Sequence, residues 1–168
     1  MPTKPTLSTF LDKPSDPHHD ILLFAAPLDA TTSNRSGTRF GPDAVRRESG
    51  FLDTYSVRSG LDWGDIDLGD IGDIDCSSVE GCLAGIEETI KEINGFPVIL
   101  GGEHTITLAA IRALKPDLVV VFDAHLDLRD ELFGEPMCHA TYLRRAIEET
   151  GCNVLVVGAR ALSGEEVA

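Results

Sequence analysis

Residues Val119-Val120-Val121-Phe122 run straight into Asp123-Ala124-His125-Leu126-Asp127, and this junction limits the possible folds more than any other stretch. A short apolar run rich in β-branched residues reads as a buried strand with both faces covered, as in a parallel sheet. Three side chains able to bind a metal follow where the strand should end, which is where open α/β sheets place their sites. In an extended chain, residues 123, 125 and 127 would share one face. At about 3.3 Å per residue, Asp123 and Asp127 would then lie about 13 Å apart. The ions of a binuclear site are only about 3.5–4 Å apart, so the chain must bend soon after His125 if all three residues serve one cluster. The alternative is a strand end decorated with solvated acids.

The flanking sequence supplies more strands and helices in alternation. Ile21-Leu22-Leu23-Phe24-Ala25-Ala26 predicts a first buried strand, followed by a polar loop from Asp29 to Pro42. Pro42 suits the first turn of a short helix ending near Gly50, and Asp43 complements its positive end. Residues 62–75 alternate Asp with Ile, Leu and Gly. They lack the ligand ladder and closing Glu of a Ca²⁺ loop, so a strand and turn with solvated acids is expected. Ser77 or Ser78 caps a helix to about Asn94, with Leu83, Ile86, Ile90 and Ile93 as its apolar stripe. Phe96–Leu100 predicts a strand, Ile106–Leu114 a helix, Ala140–Thr150 a helix and Asn153–Val157 a strand. Such alternation argues an α/β fold with a doubly wound, mainly parallel sheet.

Fourteen basic residues against 28 acidic ones give a net charge of −14, which argues against a nucleic-acid partner and suits a cationic small substrate. No apolar run reaches the length of a membrane span, and Met1–Lys13 has no leader pattern, so the cytoplasm is the expected compartment. Cys76, Cys82, Cys138 and Cys152 form no C-x-x-C pair, and reduced thiols are expected. The first 19 residues, rich in Pro, Asp and Ser, are expected to form a flexible arm ahead of one domain from residue 20 to 168.

His104, in Gly101-Gly102-Glu103-His104-Thr105, ends one predicted strand, while Asp123 and His125 end the next. Consecutive parallel strands joined by one helix are often neighbours, so His104 is expected to meet the Asp-x-His-x-Asp cluster. Nucleotide binding through Gly101-Gly102 finds no support, because the chain has neither G-x-G-x-x-G nor a G-K-[ST] loop.

These residues also carry a family resemblance. Residues 101–105 are similar to the Gly-Gly-Asp-His-Ser motif of the ureohydrolases, the arginase and agmatinase family, and residues 123–127 resemble their Asp-Ala-His-x-Asp motif. Residues 35–47, Asp130-Glu131-Leu132-Phe133-Gly134 with the following His139, and residues 156–166 are similar to agmatinases. The resemblance implies a three-layer α/β/α arginase-like fold and two Mn²⁺ per intact site. His104, Asp123 and Asp127 would serve one ion, Asp123 and His125 the other, with Asp123 bridging. Carboxylate and imidazole ligands with open water positions suit Mn²⁺. Two cations sharing a water lower its pKa from about 15.7 toward about 7. The resulting hydroxide attacks a guanidinium carbon. His139 resembles the family's proton-shuttling histidine, and imidazole titrates where a leaving amine needs its proton. Asp130 is the candidate to face a cationic group of the substrate; a solvated loop acid is the equal alternative.

The resemblance therefore implies hydrolysis of a linear C–N bond in a guanidino compound. Agmatine to putrescine plus urea is favoured, with arginine, guanidinobutyrate and formiminoglutamate as other substrates. It also implies trimers or hexamers when intact. Two departures stand out. Glu103 replaces the usual Asp, and the family's downstream Ser-x-Asp-x-Asp ligands have no counterpart before Ala168. The chain is thus expected to be the N-terminal portion of a ureohydrolase, truncated on its C-terminal side, with a second metal held weakly and a sheet edge exposed. The competing expectation is a non-catalytic protein that binds metal and acts through association.

Overall fold

The computed structural model describes residues 1–167. Its elements are β1 (Thr3–Lys4), β2 (Ile21–Ala26), α1 (Gly41–Ser49), β3 (Tyr55–Ser56), β4 (Leu61–Asp62), β5 (Leu68–Ile74), α2 (Val79–Glu92), β6 (Phe96–Gly101), α3 (Ile106–Leu114), β7 (Leu118–Phe122), α4 (Tyr142–Thr150), β8 (Asn153–Val157) and α5 (Gly164–Val167). Four strands form one sheet in the order β1-β5-β2-β6, in which β2 pairs parallel with both β5 and β6, and β1 lies antiparallel on β5. β7 and β8 form a separate parallel pair, and β3–β4 is a small hairpin. This is the mainly parallel α/β arrangement the alternating pattern predicts. No helix among the described residues is long and apolar enough to cross a membrane.

Local chemistry accounts for most boundaries. Pro42 sits in the first turn of α1, and the Ser78 side chain accepts the Gly81 amide hydrogen at the start of α2. The core joins alternate residues of β2, namely Leu22, Phe24 and Ala26, to Leu83, Ile86, Leu108, Ile111, Tyr142 and Leu143 on a row of helices. α2 packs on α3, and α3 on α4. Leu23 and Ala25, which point the other way, are buried as well.

Five expectations need correction. β7 is not covered on both faces: Leu118, Val120 and Phe122 are 53, 47 and 81 % exposed, while Val121 faces the core. β6 and β7 are not sheet neighbours, because each belongs to a different sheet. The acids of residues 62–75 are not all solvated. Asp70 is fully buried in β5, where Arg46 donates to both of its oxygens at 2.7 and 2.8 Å and also reaches Asp73 and the Gly72 carbonyl. A buried carboxylate survives only when paired and hydrogen-bonded in this way. Cys76 and Cys82 form a disulfide, because the turn into α2 brings their Cα atoms to 4.3 Å, while Cys138 and Cys152 are free and buried. Finally, residues 1–19 are laid along the sheet rather than loose. β1 extends it, Phe10 N–H donates to Asp70, and Leu11 N–H donates to Ser49.

Candidate metal centre

The β6 exit is held tightly against the β2 exit. Glu103 N–H donates to the Leu28 carbonyl at 2.9 Å, and a Cβ on Gly102 would lie 2.1 Å from that same oxygen. Only glycine permits this approach. The Glu103 carboxylate is buried and accepts from the Thr31 amide at 2.6 Å and from the Thr31 hydroxyl, which ties the loop after β2 to the loop before α3. Asp29 steadies the far end of that loop by accepting from Gly37 N–H, the Thr38 hydroxyl and Arg39.

The β7 exit is braced by the C-terminal segment. Asp123 N–H donates to Val157, and Arg160 and Ala161 N–H both donate to Ala124. Gly158 makes the turn at φ +99°, a conformation that favours glycine. Beyond His125 the backbone bends, and Asp127 adopts φ +53°. That is the bend the Asp-x-His-x-Asp spacing requires. Glu166 and Glu165 then accept the amide hydrogens of Leu128 and Asp130, fixing the loop after the bend.

These two loops bring His104 Nδ1 to 3.3 Å from Asp123 Oδ2 and 3.3 Å from Asp127 Oδ2. One donor atom from each residue lies within 4.8 Å of the others, which makes them a candidate metal-binding group. The expected meeting of the two strand tips therefore occurs although their strands are not hydrogen-bonded neighbours. His125 Nδ1 lies 3.3 Å from the other oxygen of Asp123, and its ring is 64 % exposed. Asp123 thus presents one oxygen to His104 and the other to His125. Partial burial pushes the Asp123 carboxyl up. The His125 amide, with the His104 and His125 rings, outweighs this and holds it below the usual carboxylate range.

His104, Asp123, His125, Asp127 and His139 line one cavity of about 320 Å³, walled on its other side by Thr32, Ser33, Asn34 and Arg35. His139 Nδ1 is buried without a hydrogen-bond partner among the described residues and lies 4.0 Å from Glu103 Oε2. Asp130 is not brought to this cavity. Its carboxylate accepts from Arg145 at 2.7 Å and lies 3.7 Å from Arg144, and Arg145 holds it below the usual range. The wall from Thr32 to Arg35, the Thr31–Glu103 bond and the contact of Tyr142 with His104 are not visible in the sequence. Each joins positions far apart in the chain, and only the departure at Glu103 hinted at one of them. The donor set of one imidazole and two carboxylates, with a second imidazole on the other oxygen of Asp123, fits a divalent cation such as Mn²⁺ or Zn²⁺.

A mainly parallel α/β domain that gathers nitrogen and oxygen donors at two strand tips defines the class. The model of the arginase family matches residues 19–168, and the chain belongs to that family. It is 38 % identical over 154 residues to an agmatinase of Pyrococcus horikoshii, a match covering 88 % of this chain and 54 % of the relative. It is 39 % identical over 154 residues to the N(1)-aminopropylagmatine ureohydrolase of Thermococcus kodakarensis, covering 88 % and 53 %. The crystal structure of the agmatine ureohydrolase of Thermoplasma volcanium superposes with a TM-score of 0.87 at 32 % identity, covering 96 % of this chain and 58 % of that one. The chain thus spans about half the length of the relatives it matches.

Proposed function

We propose that the chain forms part of the active site of a Mn²⁺-dependent ureohydrolase whose favoured substrate is agmatine, cleaved to putrescine and urea. The observation that carries this reading is the convergence of His104, Asp123 and Asp127, with His125 on the second oxygen of Asp123 and His139 in the same cavity. His104, Asp123 and Asp127 would hold one ion; Asp123 and His125 would begin the site for a second. When bound, such a cation supplies the acidity that makes a water nucleophilic near neutral pH.

The chain's own residues have the remaining tasks. Hydrolysis forms a bond from water oxygen to the guanidinium carbon and breaks the bond from that carbon to the alkyl nitrogen, which leaves as an amine and must gain a proton. His139 is the group in the cavity suited to carry that proton, because it lines the cavity and an imidazole can both accept and release one. Its buried Nδ1 lies 4.0 Å from the buried Glu103 carboxylate. The net charge of −14 suits the approach of a cationic guanidino compound to the protein.

The test is a Mn²⁺ titration of the full chain by EPR, paired with urea release from agmatine, arginine and guanidinobutyrate. Mn²⁺ binding that Asp123→Ala removes, with agmatine the preferred source of urea, is the expected result. No metal binding would overturn the reading. Metal binding without urea from any of the three would favour the second reading, a metal-binding protein that acts by association. The exposed apolar face of β7 and β8 is the feature that supports it.

A further inference from the structure

Behind His104, on the side away from the acids, lies a buried phenol. Tyr142 opens α4 and is fully buried, its hydroxyl oxygen is 3.1 Å from His104 Nε2, and the two rings pack with centroids 4.3 Å apart. The other nitrogen, Nδ1, is the one that faces Asp123 and Asp127. A neutral imidazole carries one proton, and only the bare nitrogen can bind a metal. Metal-binding histidines are accordingly held by a partner at their second nitrogen, which fixes both tautomer and ring angle.

We infer that Tyr142 is a positioning residue for the metal centre, whose hydroxyl holds His104 Nε2–H so that the Nδ1 lone pair points between Asp123 and Asp127. The inference rests on the metal-site reading above. With an ion at Nδ1, Nε2 donates to the Tyr142 oxygen. Without the hydroxyl, no hydrogen bond at Nε2 favours this ring orientation over the flipped one, in which the imidazole turns a carbon edge toward the acids. Because α4 packs on α3, which begins two residues after His104, the phenol and the imidazole are set by the same helix contact.

The test compares Mn²⁺ affinity, read by EPR of free Mn²⁺, in the full chain and in Tyr142→Phe, His104→Ala and the double variant. Phenylalanine keeps the ring packing, and near-ultraviolet circular dichroism confirms that the core persists. The expected loss for Tyr142→Phe is about 10–100-fold, with no further loss when it is added to His104→Ala. Equal affinity in Tyr142→Phe and the parent, or additive losses in the double variant, would overturn the inference while leaving the metal centre standing. No Mn²⁺ binding by the parent would remove both and would be seen before any variant is compared. A second measurement needs no substitution. In the Zn²⁺-loaded parent, nitrogen NMR shifts of the His104 ring should show Nδ1 coordinated and Nε2 protonated; the reverse assignment sinks the inference.

Discussion

Ile21–Ala26 and Leu118–Phe122 are both short apolar runs, yet every residue of the first after Ile21 is buried, while alternate residues of the second stand open to solvent. The same alternation continues on β8, where Leu155 and Val157 are exposed and Val154 and Val156 pack against the core. An unbroken apolar run records that a strand is suited to cover on both faces. It does not record which part of the molecule supplies the cover. β2 sits in the interior of its sheet between β5 and β6, whereas β7 has a single strand partner. The interior strand of one sheet is closed on both faces, and the β7–β8 pair carries an open apolar face of the kind that invites association.

The largest effect should come from opening the four-stranded sheet. Arg46→Ala leaves Asp70 buried without its cation, and breaking a buried pair this way costs about 3–5 kcal/mol. The matched change in an exposed pair, Arg112→Ala beside Glu149 and Glu87, should cost at most about 1 kcal/mol. Urea unfolding of both variants checks the ranking, and equal losses would contradict the contrast in burial. Next comes the disulfide, which follows β5 of that sheet. Cys76 and Cys82 are six residues apart, and closing so short a loop stabilises by about 2 kcal/mol in the chain-entropy account. A reductant should lower the urea midpoint accordingly, and should do nothing in Cys76→Ser.

On the open ribbon the expected sign is different. Phe122→Ser and Leu155→Ser remove apolar area that water already touches, so stability should change by no more than about 0.5 kcal/mol. Binding of the dye ANS and concentration-dependent association should both fall. A loss of stability comparable to that of a core truncation would show that this face is covered in solution.

The contrast also explains what the sequence could and could not disclose. Ile106–Leu114 and Ile21–Ala26 were legible to the residue, because caps, periodicity and apolar runs are local. The bend after His125 was legible because three candidate ligands at two-residue spacing cannot meet without it. His104 lies beside Asp123 and Asp127, but not by the route expected: the two strand tips converge across two sheets, not along one. The Arg46–Asp70, Thr31–Glu103 and His104–Tyr142 contacts lay beyond reach, since each pairs residues at least 24 positions apart and no spacing rule links them. The disulfide escaped because its spacing matches no redox or metal motif, and only the turn into α2 brings the two sulfurs together.

The smallest effect separates parts of the four-stranded sheet from each other. Its N-terminal arm is fastened partly by His19, whose Nδ1 meets Asp67 and whose Nε2 meets Asp16 at 3.1 Å. The Asp67 carboxylate raises the His19 pKa above its usual 6.5 against the opposing effect of burial, and Asp16 adds to the rise. A raised folded-state pKa stabilises fully below the unfolded value, and that contribution fades as pH climbs through the folded value. Asp16 and Asp67 are lowered from 3.8, the first mainly by the His18 amide and the second mainly by His19. Their contribution is present above 3.8 and fades as pH falls through the lowered values. The clamp is therefore strongest between these limits. Moving from about pH 6 to about pH 9 should loosen the arm alone. The readout is amide exchange at Phe10 and Asp70, whose hydrogens go to Asp70 and Pro14, corrected for intrinsic rates. His19→Gln should exchange faster at the lower pH and lose the pH dependence. If it kept the same dependence, some other group would be fastening the arm, and the four-stranded sheet would be uniformly held rather than weakest at its first strand.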